Sequence, residues 1–151
     1  MRAITHVTVH CSATPQTTTI ASMQSYWKNI LGWKNAGYHY IVKPNGDIER
    51  LTPESIPSNG VKGHNATGIH VSYIGGIDKA GNAVDNRTPE QKASLLKLLR
   101  ELVDRYPNVK ILGHRDWSPD KNHDGKITVH EWLKSCPCFD AIPEYKHLTK
   151  A

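Results

Sequence analysis

Nine histidines and three cysteines in a chain of 151 residues are more metal donors than packing ordinarily requires. Three of them stand where a metal site could use them. His10 closes an alternating segment in Val9-His10-Cys11-Ser12, His114 follows an apolar run in Gly113-His114-Arg115-Asp116, and Cys136 stands in Lys134-Ser135-Cys136-Pro137. Imidazole nitrogen and thiolate are common zinc donors, and a set of only three protein ligands leaves a fourth position open for water, as catalytic sites do. Separation along the chain says nothing of proximity, and at this point either Cys136 or Cys138 could reach a metal.

A second cluster suggests another ion. Asp120 to Glu131 satisfies the twelve-residue EF-hand pattern at every defining position. Asp120, Asn122 and Asp124 would supply side-chain oxygens to Ca2+, Lys126 its carbonyl, Thr128 a contact through water and Glu131 two oxygens, with Gly125 allowing the sharp turn. Its surroundings are unlike a paired EF-hand. Trp117-Ser118-Pro119 offers no entering amphipathic helix, and the competing reading is a polar loop that caps a short helix.

These residues need elements to position them. Val7 and Val9 alternate with Thr8 and His10, predicting a strand that ends near His10. Ile20, Met23, Trp27, Ile30 and Leu31 recur at helical spacing before Gly32, so one amphipathic helix is expected. Residues 38–42 and 47–51 flank Pro44-Asn45-Gly46 and predict a hairpin, and residues 68–74 a further strand. Thr88-Pro89-Glu90-Gln91 reads as a capping box with proline at the first turn, opening a helix that carries Leu95, Leu98, Leu99 and Leu102. A short strand over 109–112 and a brief helix around 129–135 complete the pattern. Strands alternating with helices predict an α/β fold: one domain over residues 1–151, its central mixed sheet flanked by helices.

Composition narrows the classes. A hydrophobic fraction of 38% with 22% charged residues is that of a globular domain and excludes a largely disordered chain. The net charge of +5 favours polyanionic partners, but the basic residues are scattered, which argues against nucleic acid. Three cysteines, two of them one residue apart, do not form a disulfide framework. The first residues lack the sections of a secretion signal, so synthesis in the cytoplasm is expected.

Taken together, Val9-His10-Cys11-Ser12-Ala13-Thr14, Gly113-His114-Arg115-Asp116 and Lys134-Ser135-Cys136-Pro137 resemble the type-2 N-acetylmuramoyl-L-alanine amidase family. This family includes phage lysozymes and is related to the peptidoglycan recognition proteins. Gly37-Tyr38-His39-Tyr40, Gly75-Gly76-Ile77-Asp78 and Cys136-Pro137-Cys138-Phe139-Asp140 extend the resemblance over nearly the whole chain. It implies Zn2+ held by His10, His114 and Cys136, the ligand cysteine being the one immediately before the proline. It further implies hydrolysis of the amide between N-acetylmuramic acid and L-alanine in peptidoglycan. Tyr38 and Lys134 match the family's catalytic tyrosine and lysine, the first to orient water or donate to an oxyanion, the second to stabilise that oxyanion.

His64 and Asn65 fall where the family lines its substrate groove, with a turn role as the alternative. Two departures stand out: His70 occupies a position where glycine is common, and the segment between Arg115 and Cys136 carries the EF-hand-like insert. The implied partner is peptidoglycan, met at the bacterial cell wall by a monomer with no membrane or nucleic-acid ligand. A non-catalytic peptidoglycan recognition module is the competing class. Joint presence of His10, His114, Cys136, Tyr38 and Lys134 argues against it.

Overall fold

Alternation in the first strand separates two faces of the sheet, and that separation organises the molecule. A computed structural model describes residues 2–149. β1 (His6–Cys11) is an interior strand of a five-stranded sheet with β2 (Tyr40–Val42), β3 (Ile48–Arg50), β4 (Gly68–Tyr73) and β5 (Lys110–Gly113), in the order β3-β2-β4-β1-β5, so β4 is central. β1 pairs in parallel with β4 and β5, and β2 with β4, while β3 turns back antiparallel on β2. The sheet is mixed, as expected.

On one face Val7, Val9 and Cys11 of β1 and Ile69, Val71 and Tyr73 of β4 pack against Leu95, Leu98, Leu99 and Leu102, all buried. These leucines belong to α2 (Pro89–Arg105), where the capping box forms as its sequence predicts. Gln91 serves both ends of that joint. Its Oε1 accepts the Thr88 N–H at 3.0 Å, and its Nε2 donates to the carbonyls of Val42 and Ile74 at 3.1 and 3.0 Å. The helix start is thereby tied to the ends of β2 and β4.

The opposite face is polar where it matters. Thr8 and His10 of β1 and His70 and Ser72 of β4 are buried there, and beside them Met23 and Trp27 pack on Ile41 and Ile74. Met23 lies in α1 (Ile20–Ser25) and Trp27 in the π-helical turn Tyr26–Ile30 that continues it. The single regular helix expected here is therefore corrected. The wider turn breaks the 3.6-residue spacing, which leaves Ile30 71% and Leu31 40% exposed.

The helix expected around residues 129–135 is also corrected, contracting to a 3-10 turn at Val129–Glu131. Trp132 is already extended at ψ 125°. Cys136 precedes a proline, which disfavours helical backbone, and the Leu133 N–H, which in a helix would reach the Val129 carbonyl, donates instead to Ser118 Oγ at 3.0 Å. A short helix, α3 (Ala141–Tyr145), follows where none was expected. Ala141 and Tyr145 bury themselves in the main core, and Arg87 bridges Asp85 to Glu144 while lying over the Phe139 ring.

Candidate active site

Parallel strands place their carboxyl ends together, and that is where open α/β sheets commonly form their clefts. His10 is the penultimate residue of β1, and His114 is the first residue after β5, the next strand over. The loop carrying Cys136 is held across both ends. Tyr73 donates to the Pro137 carbonyl at 2.6 Å, the Arg115 guanidinium lies 3.7 Å from the Trp132 ring centroid, and the same guanidinium pairs with Asp140 at 2.5 Å.

The three donors converge. His10 Nδ1 is 3.1 Å from His114 Nδ1 and 3.9 Å from Cys136 Sγ, and all three ligand atoms lie within 4.8 Å of one another. A tetrahedral zinc with bonds near 2.0 Å to nitrogen and 2.3 Å to sulfur sets its donors about 3.3–3.6 Å apart, so the set fits with only small adjustments. Burial lowers the pKa of both imidazoles, that of His114 to about 4 and that of His10 well below its ordinary value, with Lys134 adding to both effects. Both rings are therefore neutral near pH 7, and a neutral imidazole offers a nitrogen lone pair.

The other thiols are placed differently. Cys11 points to the core face and is buried there, while Cys138 is half-buried with its sulfur 3.9 Å from that of Cys11. Neither belongs to the donor group found among the described residues.

Above the donors opens a cleft of about 170 Å³ lined by Trp33, Tyr38, Asn59 and Lys134 as well as the donors themselves. It runs into a hollow of about 650 Å³ that shares Ser12, Ala13, Trp27, Trp33, Tyr38 and Lys134 and extends to Tyr26 and Leu31. Aromatic walls and an open mouth suit an extended ligand with apolar and polar parts. Trp27 and Trp33 carry much of that wall, and the sequence reading gave them no role at the site. Their only signal was aromatic residues flanking a glycine stop, which packing explains equally well.

Tyr38 lies two residues before β2, with its ring 5.1 Å from that of His10 and edge-on to Trp27 at 5.5 Å. Its hydroxyl donates to the Cys11 carbonyl at 3.2 Å. Burial, with the Cys136 and Cys11 side chains adding to it, raises its pKa far above the ordinary value, so the hydroxyl keeps its proton. Lys134 is exposed and lines both parts of the cleft.

His64 and Asn65 lie outside both hollows. The Asn65 Oδ1 accepts the N–H groups of Gly60 and Val61 at 3.1 and 2.9 Å, which is the turn role. His64 is exposed and stacks on Trp117 at 3.9 Å, at the rim of a smaller recess bordered by Trp117, His114 and Lys134.

In the insert, carboxylate oxygens of Asp120, Asp124 and Glu131 lie within 4.8 Å of one another. The Asn122 Oδ1 accepts the Asp124 N–H at 3.3 Å, and Gly125 adopts φ +79°, the left-handed conformation its place in the pattern requires. Glu131 is buried and accepts N–H groups from Thr128 and Lys121, and these bonds hold its carboxyl below the usual value. The Thr128 hydroxyl donates to Glu131 at 3.2 Å, and the Lys126 N–H donates to Asp124 Oδ1 at 2.9 Å.

Comparison with known proteins agrees with this architecture. The chain is 35% identical to the endolysin of Enterobacteria phage K11 over 133 residues, covering 87% of this chain and 79% of that protein. It is 33% identical to the endolysin of Escherichia phage T7 with the same coverage. Among solved structures, the amidase LysC of Clostridium intestinale superposes with a TM-score of 0.74 at 22% identity, covering 99% of this chain and 88% of that one. Drosophila PGRP-LB superposes at 0.71 and 16%, covering 97% and 81%, so the two share the fold. The sequence model of the N-acetylmuramoyl-L-alanine amidase family matches residues 1–130, and the chain belongs to that family.

Proposed function

We propose that this protein is a zinc-dependent amidase that hydrolyses the bond between the lactyl group of N-acetylmuramic acid and L-alanine in peptidoglycan. One observation carries the reading: in a chain of the amidase family, two neutral imidazoles and a thiol converge at the floor of an open cleft that also presents Tyr38 and Lys134. Zinc bound there would supply Lewis acidity, acidifying a water and polarising the scissile carbonyl.

The chain's own residues do the rest. His10, His114 and Cys136 present lone pairs from three separate elements, so the position is set by the sheet and not by one flexible loop. Tyr38 is a donor that keeps its proton, placed beside His10, where negative charge develops on the carbonyl oxygen. Lys134 brings a positive charge to the same rim without being buried, and so avoids the cost of desolvating an ammonium. The aromatic walls at Trp27 and Trp33 would hold the substrate against this edge.

Mass spectrometry of purified sacculi after digestion tests the bond assigned. Free stem peptides with an N-terminal alanine are expected, together with glycan strands that keep intact lactyl groups. Sacculi left undigested by zinc-loaded protein would overturn the hydrolase reading in favour of the recognition module.

Calcium in the insert belongs to the same proposal, supported by the complete twelve-residue pattern and by the grouping of Asp120, Asp124 and Glu131. The link to the active site runs through the irregular segment 132–135, since Leu133 N–H donates to Ser118 Oγ at 3.0 Å just before Lys134. An ion that binds only the folded state raises stability by about 2.7 kcal/mol at a hundredfold excess over its dissociation constant. With zinc kept saturated, millimolar calcium is expected to raise the melting temperature, magnesium to do so less, and Asp120→Ala or Glu131→Gln to lose the response. A melt unchanged by calcium would reduce the loop to a cap for the 3-10 turn.

A further inference from the structure

Directly beneath the donor set lies a histidine that the reaction does not use. His70 is fully buried on β4, in register with Thr8 of β1, and its Nδ1 is 2.9 Å from His10 Nε2. His10, 1% exposed, thus has a neighbour at each ring nitrogen: the other donors at Nδ1 and His70 at Nε2.

We propose that His70 is a positioning residue for His10, its Nδ1 accepting the His10 Nε2–H and turning the opposite nitrogen toward His114 and Cys136. The inference rests on the metal reading of His10 and deepens it. A neutral imidazole carries one N–H, so a ring that ligates through Nδ1 must carry its hydrogen at Nε2, and a buried N–H requires an acceptor. His70 Nδ1 is the atom within reach. Such outer partners fix the tautomer and orientation of ligating histidines.

Two further features agree. If Nδ1 of His70 accepts, its own hydrogen must sit at Nε2, and that atom is the one buried side-chain polar atom without a hydrogen-bond partner among the described residues. The site tolerates an orphaned donor to keep an acceptor facing His10. The surroundings are also shaped to the ring: a Cβ on Gly60 would fall 2.2 Å from His70 Nδ1, so no other L-residue fits at 60 without displacing it. From the far side, His70 N–H donates to His39 Nδ1 at 3.0 Å, and the two rings stack at 6.0 Å with 13° between their planes. That contact holds the backbone from which His70 projects.

Competition of zinc with a chelator, and long-range nitrogen–proton NMR of the histidine rings, test the assignment on the full chain. His70→Leu keeps the bulk and removes the acceptor, and is expected to weaken zinc binding by about 10- to 100-fold. His70→Asn places an oxygen where Nδ1 stood and is expected to recover most of that loss. In the zinc-loaded parent, His10 should be protonated at Nε2, and His70 at Nε2 and not Nδ1. Equal zinc affinity in parent and His70→Leu, or a His70 protonated at Nδ1, would overturn this role while leaving the metal reading intact. A parent that binds zinc no more tightly than His10→Ala would overturn both. Should His70→Leu fail to fold, the NMR spectrum of the parent still decides.

Discussion

Replacing His10 or His114 with alanine, or Cys136 with serine, is expected to abolish stoichiometric zinc and to slow peptidoglycan hydrolysis by about a thousandfold or more, since a Lewis acid contributes several kcal/mol of charge stabilisation. The geometry makes each loss severe. His10 projects from β1, His114 follows the adjacent strand and Cys136 comes from a loop clamped across both, so each donor is held by a different element. Cys138 is the natural substitute on sequence grounds, yet its sulfur lies against Cys11 and the Gly76 carbonyl. Cys138→Ser is accordingly expected to keep its zinc. Elemental analysis beside turnover separates the cases, and full zinc content in all three ligand variants would remove the metal assignment. Metal binding coupled to folding also requires the parent's melting temperature to rise with zinc, and the three variants should lose that response.

Tyr38→Phe is expected to retain zinc while losing on the order of a hundredfold to a thousandfold in kcat, as removal of an oxyanion donor does. The substitution deletes one hydroxyl and keeps the ring that packs between His10 and Trp27. The hydroxyl donates to the Cys11 carbonyl and to no metal donor atom, so its loss should leave the fold and the donor set in place. Lys134→Ala is expected to act in the same direction, with a loss that depends more on salt because the ammonium is exposed. KM should change less than kcat in both, since the interactions are strongest when charge has developed on the carbonyl oxygen. Parental turnover in both variants would return them to structural roles and require another oxyanion stabiliser.

Local physics made much of the frame legible in advance. Alternation at Val7 to Cys11, the hairpin turn at Pro44-Asn45-Gly46 and the capping box at Thr88 to Gln91 depend on side chains a few residues apart, and each formed as its spacing predicts. The two misread segments depended on distant partners. The helix from Ile20 widened into a π turn as Trp27 packed against Tyr38 and the sheet, and the segment after Glu131 left the helix because the Leu133 N–H is taken by Ser118, fifteen residues earlier.

The candidate site divides along the same line. Donor types, their flanking glycine and proline, and the twelve-residue loop pattern are properties of the chain, and by themselves they pointed to the amidase family and to an unusual insert. Which atoms meet was decided only by the tertiary structure. Residues 10, 114 and 136 converge because parallel pairing puts the ends of β1 and β5 side by side and a distant loop folds over them. His70 could be read in the sequence only as a departure at a glycine position. Its register with β1 put Nδ1 under His10, and register depends on backbone pairing across the whole sheet, a relation that no local window of residues contains.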